Sequence, residues 1–456
     1  MGRLYAGSIS SLLVASLGII AVVVAGSSNL YWLSRRWGPS MLRQPLVGRL
    51  LRLDERRLDQ ARAWFDRWRV LAIIFGRHLP GFRIAITVIA ATMGVPYRIF
   101  SPSVAVSTAS GAACAAVGLC QDEPMSAPAA GRRLMVSTVD YHTAGEPFRI
   151  VSGGVPPLRG RTILEKRRYA LDQLDHIRQL LVFEPRGHAD MYGGFVTDPQ
   201  DADGQLGVVF FHNAGYSTAC GHGTIALVTW AIDAAMVPAI GPSVEVVVDV
   251  PSGRVRTVAT LQDGRVRSVR IRNVPSFVLV DGLTVTIGGR RIEVAVAYGG
   301  AFYAIVPAER FELPIEPAFV PRFIELGREI KAAIEAGRDI VHPLEPELQG
   351  IYGVMFTAGN RNVTVFADGE VDRSPCGSGT SARLALLDQQ GELARGTTLM
   401  HESVIGSRFA SRVVGEDRVG DYPAVVTEIE GSAHLTGYHQ FVLAADDPIG
   451  LGFLVR

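Results

Sequence analysis

The chain has 456 residues, of which 20% are charged and 48% hydrophobic; this excludes a disordered or low-complexity protein and exceeds one ordinary domain. A net charge of +1 gives no ground for a protein that coats nucleic acid. Four cysteines are too few for a disulfide scaffold and read as free thiols in a reducing compartment. The total conceals a split: residues 1–120 hold fourteen Arg, no Lys and four acidic residues, a net +10, which leaves −9 for the remainder. Residues 9–26 form a nearly unbroken apolar run, just long enough to cross a bilayer. The interfacial pair Tyr31-Trp32 follows, and the arginines from Arg35 to Arg69 then place this loop on the cytoplasmic side. Further apolar stretches at 70–96, broken at Gly76–Gly81, and at 103–120 complete an expected α-helical membrane segment over 1–120.

Within this segment, FGRHLPGFR at 75–83 and MGVPYRIF at 93–100 resemble the DedA (SNARE-associated) family of membrane proteins. That resemblance implies lipid or small-solute transport with Arg77 and Arg83 on the pathway, and a transporter with the rest of the chain as passenger is one functional reading. Residues 121–133 are polar and Pro/Ala-rich and read as a linker.

From Leu134 the texture changes. Short β-branched runs predict strands at 134–140, 206–211, 244–250, 266–271, 284–287, 293–297, 363–366 and 424–429. Apolar positions at helical spacing predict helices at 169–181, 224–235, 323–336 and 380–390. The fold class is mixed α/β (α+β), with strands outnumbering helices.

The most informative feature is an internal echo. Cys220-Gly221-His222-Gly223-Thr224 opens one predicted helix and Cys376-Gly377-Ser378-Gly379-Thr380 opens another, 156 residues later. A helix N-terminus presents unpaired N–H groups and partial positive charge, and glycines let an anion approach that backbone closely. The same field favours thiolate over thiol, so both cysteines are expected to have pKa values lowered toward neutrality. Two lobes facing each other would set the thiols across one cleft, with a carboxylate cradled between helix ends. A thiolate on one face of a carbon and a thiol on the other can remove and return a proton, which inverts a stereocentre without a cofactor. A metal site is not expected, because Cys220 and His222 lack further ligands at finger spacing.

Residues 134–456 resemble the proline racemase family. The resemblance rests on DYHTAGEPFRIV at 140–151, GHADMYGGFVT at 187–197, YSTACGHGTIAL at 216–227 and DRSPCGSGTSARLALL at 372–387. HESVIGSRF at 401–409 and GSAHLTGYHQFVL at 431–443 also fit. It implies two pseudo-symmetric lobes like those of diaminopimelate epimerase, each a sheet wrapped around a central helix, over 134–275 and 276–439, with 440–456 returning to the first. It implies Cys220 and Cys376 as the catalytic pair and the backbone at Gly221, His222, Gly377 and Ser378 as the carboxylate cradle. It further implies Asp372 as the partner of the ring ammonium and Phe366 as an aromatic wall over the ring. No cofactor is implied; the partners are a small-molecule substrate, proline or hydroxyproline, the membrane through the N-terminal segment, and a second copy in a homodimer. Reduced thiols place the catalytic portion on the cytoplasmic side.

Proline racemisation, hydroxyproline 2-epimerisation and trans-3-hydroxy-L-proline dehydration share this scaffold. Stereoinversion needs two thiols, and Cys376 favours racemase or epimerase; the surroundings at 365–375 and the C-terminal tail look more like those of a dehydratase. His142, Glu146, His188 and Asp190 are read equally as turn-stabilising or catalytic groups, and His212 and His342 as ordinary.

Overall fold

A computed structural model of the chain describes residues 26–29, 31–32, 34–36, 87, 90–91, 95–116 and 134–455. The chain divides into two compact units, Met1–Pro124 and Met125–Arg456. In the first, the rings of Tyr31 and Phe100 stack at 4.5 Å, and Trp32 and Tyr97 pack at 5.4 Å. Helix α1 (Tyr97–Ala116) is its described element. The expected membrane crossings at 9–26 and 70–96 lie almost wholly outside the described residues, as do Arg77 and Arg83, and the third is described only in part. Among the described residues no helix is long and apolar enough to cross a membrane.

The second unit is a twofold repeat of one strand order. The first copy runs β1 (Leu134–Thr143), β2 (Glu146–Gly153), α2 (Ile163–Gln173), α3 (Asp175–Val182), β3 (Tyr192–Thr197), β4 (Leu206–His212), β5 (Gly215–Tyr216) and α4 (Gly221–Asp233). It continues through β6 (Ser243–Val250), β7 (Gly253–Gln262) and β8 (Arg265–Arg272). After β9 (Ser276–Ile287), the second copy runs β10 (Arg290–Tyr298), β11 (Phe302–Pro307), α5 (Val320–Gly337), β12 (Ile351–Ala358), β13 (Arg361–Phe366), β14 (Glu370–Asp372) and α6 (Gly377–Gln389). It continues through β15 (Leu399–Glu402), β16 (Arg408–Val419) and β17 (Tyr422–Gly431), and β18 (Ala433–Leu443) ends the strands.

The pairing repeats sign for sign. β1–β2 is antiparallel, β2–β3 parallel, β3–β4 and β4–β5 antiparallel, β4–β6 parallel, and β6–β7–β8 antiparallel. The same series recurs through β10, β11, β12, β13, β14, β15, β16 and β17. Parallel neighbours need a crossover, which α2–α3 supplies in one copy and α5 in the other. Strand β17 joins the two sheets by pairing with both β8 and β9, and the β9 contact closes the second sheet on itself.

Each sheet wraps one helix. Residues His222–Ile232 of α4 and Gly377–Leu386 of α6 are buried on every face. Ile225, Leu227, Val228 and Trp230 pack with Val246, Val248 and Ile271, whereas Leu384 and Leu386 pack with Ile305, Met355 and Val413. Strands facing both a helix and a covering layer are buried throughout, as in β4, while β7 alternates, with Val255, Thr257 and Ala259 buried.

Two sequence expectations change here. The helix expected at 169–181 is two helices, α2 and α3. Thr162 caps the first by accepting the Glu165 N–H at 3.1 Å, and the Glu165 carboxylate reaches back to the Arg161 N–H at 2.6 Å, so the helix starts earlier. The return to the first copy begins at Ala433, not at 440: β18 pairs with β1 from Thr143↔Ala433 to Leu134↔Leu443.

Candidate active site

The two central helices meet at their N-termini. A Cβ built on Gly221 would stand 2.7 Å from the Gly377 Cα, and one built on Gly377 would stand 2.7 Å from the Gly221 Cα. Only glycine allows this approach, so the glycine after each cysteine serves the contact between the helices.

Cys220 is the N-cap of α4, with extended backbone (φ −153°). Its Sγ accepts the Gly223 N–H at 3.2 Å and lies 3.5 Å from the ring nitrogens of His222. Cys376 occupies the matching position before α6 but has φ +65°. Its Sγ donates to the Tyr303 hydroxyl at 3.6 Å, and that hydroxyl shares a hydrogen bond of 2.7 Å with Ser378 Oγ. Both cysteines are buried and free.

Burial pushes both thiols well above the ordinary cysteine range, and the Asp372 carboxylate adds to the shift at each. This corrects the expectation of thiols poised near neutrality. The amide field is present, as the Gly223 N–H on Cys220 Sγ shows, but loss of water outweighs it. Burial also raises Asp372 itself to about 6, although its Oδ1 accepts the Ser374 N–H at 2.8 Å and the Ser374 hydroxyl at 2.7 Å.

One carboxylate acting on both thiols places Asp372 with the cysteine pair. Beside it Glu146 is fully buried; its Oε2 accepts the Arg373 N–H at 2.7 Å, and its Oε1 has no partner. Burial, reinforced by Asp372, holds Glu146 well above the usual carboxylate range. Arg373 also pairs with Asp190 at 2.9 Å. The turn residues Glu146 and Asp190 of the first copy thus hold the segment that leads into Cys376.

Aromatic rings cover one side. Phe366 stacks on Tyr352 at 5.6 Å, packs against Tyr192 at 5.9 Å and meets His212 edge-on at 5.8 Å. The hydroxyls of Tyr192 and Tyr352 lie 3.0 Å apart, and Tyr192 also hydrogen-bonds Ser217. His222 stands edge-on to Tyr192 at 4.9 Å, and burial lowers its pKa to about 3, so its ring is neutral.

The structure therefore brings together Cys220, Gly221, His222, Phe366, Asp372, Cys376, Gly377 and Ser378. Sequence reasoning missed Tyr192, Tyr303 and Tyr352, and it took His212 as ordinary although His212 contacts Glu370 at 3.3 Å beneath the aromatic wall. One signal was available for Tyr192, which opens β3 inside the motif at 187–197. His142 and His188 make turn contacts, to the Gly145 N–H and the Ala189 carbonyl.

A cavity of about 620 Å³ adjoins the wall, lined by Arg167, His212, Ser217, Phe302, Lys331 and Tyr352 among others. The space at Cys220, Gly221, Gly377 and Ser378 is only about 20 Å³. That is room for about one water. Among the described residues no group of three or more His, Cys, Asp or Glu could hold a metal ion.

Comparison with known proteins adds the following. A family profile described as proline racemase matches residues 138–454. A protein of Bacillus cereus named trans-3-hydroxy-L-proline dehydratase is 43% identical over 326 residues, covering 70% of this chain and 98% of its own. A 3-hydroxyproline 2-epimerase of Burkholderia multivorans is 45% identical over 329 residues, with the same coverage. The crystal structure of a hydroxyproline epimerase from Agrobacterium vitis with bound trans-4-hydroxy-L-proline superposes with a TM-score of 0.67 at 31% identity, covering 71% of this chain and 96% of that one.

Proposed function

The chain belongs to the proline racemase family, and from that premise we propose that it inverts the α-carbon of a proline-like imino acid, hydroxyproline in the first place, with Cys220 and Cys376 as the two proton-transfer groups. The observation that carries this reading is the meeting of two cysteine-bearing helix ends at Gly221 and Gly377, with one carboxylate acting on both thiols.

The substrate carboxylate sits against the backbone N–H groups that open α4 and α6, including those of Gly221, His222, Gly377 and Ser378. Its ring ammonium pairs with Asp372. That pairing cancels the negative charge that disfavours thiolate, so binding lowers the cost of ionising one cysteine. The ring lies against Phe366 and its tyrosine neighbours. The thiolate breaks the Cα–H bond, the electron pair spreads into the carboxylate, and the opposite thiol forms a new C–H bond on the other face. Reversal of roles runs the reaction backward, and no cofactor enters.

A second reading has a specific support, the 43% identity to the protein named as a dehydratase. With trans-3-hydroxyproline, the same proton abstraction followed by loss of the 3-hydroxyl as water leaves an enamine that tautomerises to the cyclic imine. This route needs only one thiolate at the α-carbon.

The test is incubation of the protein in D₂O with L-proline, trans-4-hydroxy-L-proline and trans-3-hydroxy-L-proline, followed by chiral chromatography, Cα deuterium content and an imine assay. Inversion with one deuterium gained at Cα is expected for at least one substrate. Imine without inverted product assigns the dehydratase reading, and neither Cα deuterium nor imine with any of the three overturns both.

A further inference from the structure

Helices α4 and α6 occupy equivalent places, yet the residue seven positions after each cysteine differs in kind. In α4 it is the core residue Leu227; in α6 it is Arg383, buried at 7% exposure. A buried guanidinium requires acceptors, and those of Arg383 are neutral. Nη1 is 2.6 Å from His401 Nε2, and Nη2 donates to the Gly359 carbonyl at 2.5 Å.

The proton directions from Arg383 through His401 to Thr380 follow, with Asn362 Nδ2 a second donor 3.0 Å from His401 Nε2. Guanidinium only donates, so His401 accepts at Nε2. A neutral imidazole then carries its proton on Nδ1, which lies 2.7 Å from Thr380 Oγ1. Thr380 accepts there, and its own hydroxyl proton goes to the Pro375 carbonyl at 3.0 Å. Asn362 Nδ2 donates to the same carbonyl at 3.1 Å, its amide oriented by the Thr364 hydroxyl on Oδ1. The N–H on the far side of that peptide, of Cys376, is held by Ser374 Oγ at 3.2 Å, and Ser374 in turn binds Asp372.

This peptide precedes Cys376, whose φ of +65° is a conformation that side-chain-bearing residues rarely adopt. In the other copy Cys220 is extended, and Thr224, the counterpart of Thr380, bonds only back to the Cys220 carbonyl at 2.8 Å.

We propose that Arg383, His401, Thr380 and Asn362 are positioning residues: together they clamp the Pro375 carbonyl and hold Cys376 in its left-handed conformation, with its sulfur turned to Tyr303. Their functional importance rests on the reading of Cys376 as a proton-transfer group; the clamp itself does not.

Thr380→Val in the full chain tests it, because the change keeps the side chain's shape and removes the hydroxyl that completes the relay. Two readouts are needed: turnover, and iodoacetamide labelling of Cys376 relative to Cys220 in the same molecules, read by peptide mass spectrometry. The ratio cancels any general change in reagent access to the two thiols. Expected are a kcat about tenfold lower or more with KM changed far less, and a labelling ratio shifted severalfold, since small misplacement of a reacting group is costly in rate. Thr380→Ser restores both. Unchanged kcat and unchanged ratio in folded Thr380→Val overturn the proposal, as does equal change at both cysteines. Should Thr380→Val not fold, His401→Asn, which keeps a donor near the Nδ1 position, is compared with His401→Leu; equal ratios in the two overturn it. If Cys376→Ser retains full turnover while the labelling ratio still shifts, the clamp stands and the catalytic reading falls.

Discussion

The two cysteine corners share a sequence device and a strand order but not a conformation. Cys220 sits in relaxed, extended backbone and caps its own helix through sulfur; Cys376 sits in left-handed backbone beneath a relay that ends on a buried cation. A repeat can thus preserve topology while each copy acquires separate means of aiming the same atom. The first copy aims with a short local hydrogen bond, and the second with side chains drawn from β13, α6 and β15.

The comparison breaks most sharply on the sulfurs. Cys220→Ser and Cys376→Ser should each lower racemisation by about 10³-fold, the range of a lost general acid or base, measured by chiral chromatography. Full inversion in either would remove the equivalence of the two corners. Asp372→Asn comes next. It should weaken turnover by about 10²-fold through loss of the ammonium partner, while labelling of both thiols moves to lower pH. Removal of a negative charge favours thiolate, so the sign is downward, and the shift should be larger at Cys376, where Asp372 ranks directly after burial as a cause. Gly221→Ala and Gly377→Ala then probe the shared contact. Each forces a methyl against the opposing backbone and should cost about 1–3 kcal/mol in urea denaturation, similarly for both because the clash is mutual.

The last effect is on acid stability. His222 in one copy and His401 in the other have pKa values lowered by burial. A histidine held neutral when folded takes up its proton only on unfolding, so its own contribution to stability is full above the unfolded pKa of about 6.5 and falls below it, while Asp372 and Glu146, raised by burial, act in the opposite direction. The slope is about 1.4 kcal/mol per pH unit for each such histidine. Urea midpoints between pH 7 and 5 measure it, and His401→Asn should flatten the slope by one such share.

What was legible in the sequence was whatever is written locally. Cys-Gly-x-Gly-Thr marks a helix start at both corners because glycine and the cap act within one turn, and the β-branched runs predict strands because alternation is a property of neighbours. Tyr303 and Tyr352 were not legible: each reaches the site from a strand far along the chain, and no spacing records that approach. Arg383 falls on what sequence spacing takes as an apolar helix face, since a buried charge is recognised only when its acceptors are seen. The thiol pKa direction failed for a related reason. The helix field is visible in the motif, while the loss of solvent that exceeds it depends on the whole enclosure.

Gly221 and Gly377 bring two helices together head to head, so like poles face each other across a few ångströms. Facing poles repel, and a negative charge placed beside both would turn that repulsion into attraction from both sides. A neutral amide of the same imino acid should therefore bind more weakly than the free acid if that spot receives the carboxylate, as ligand titration would measure.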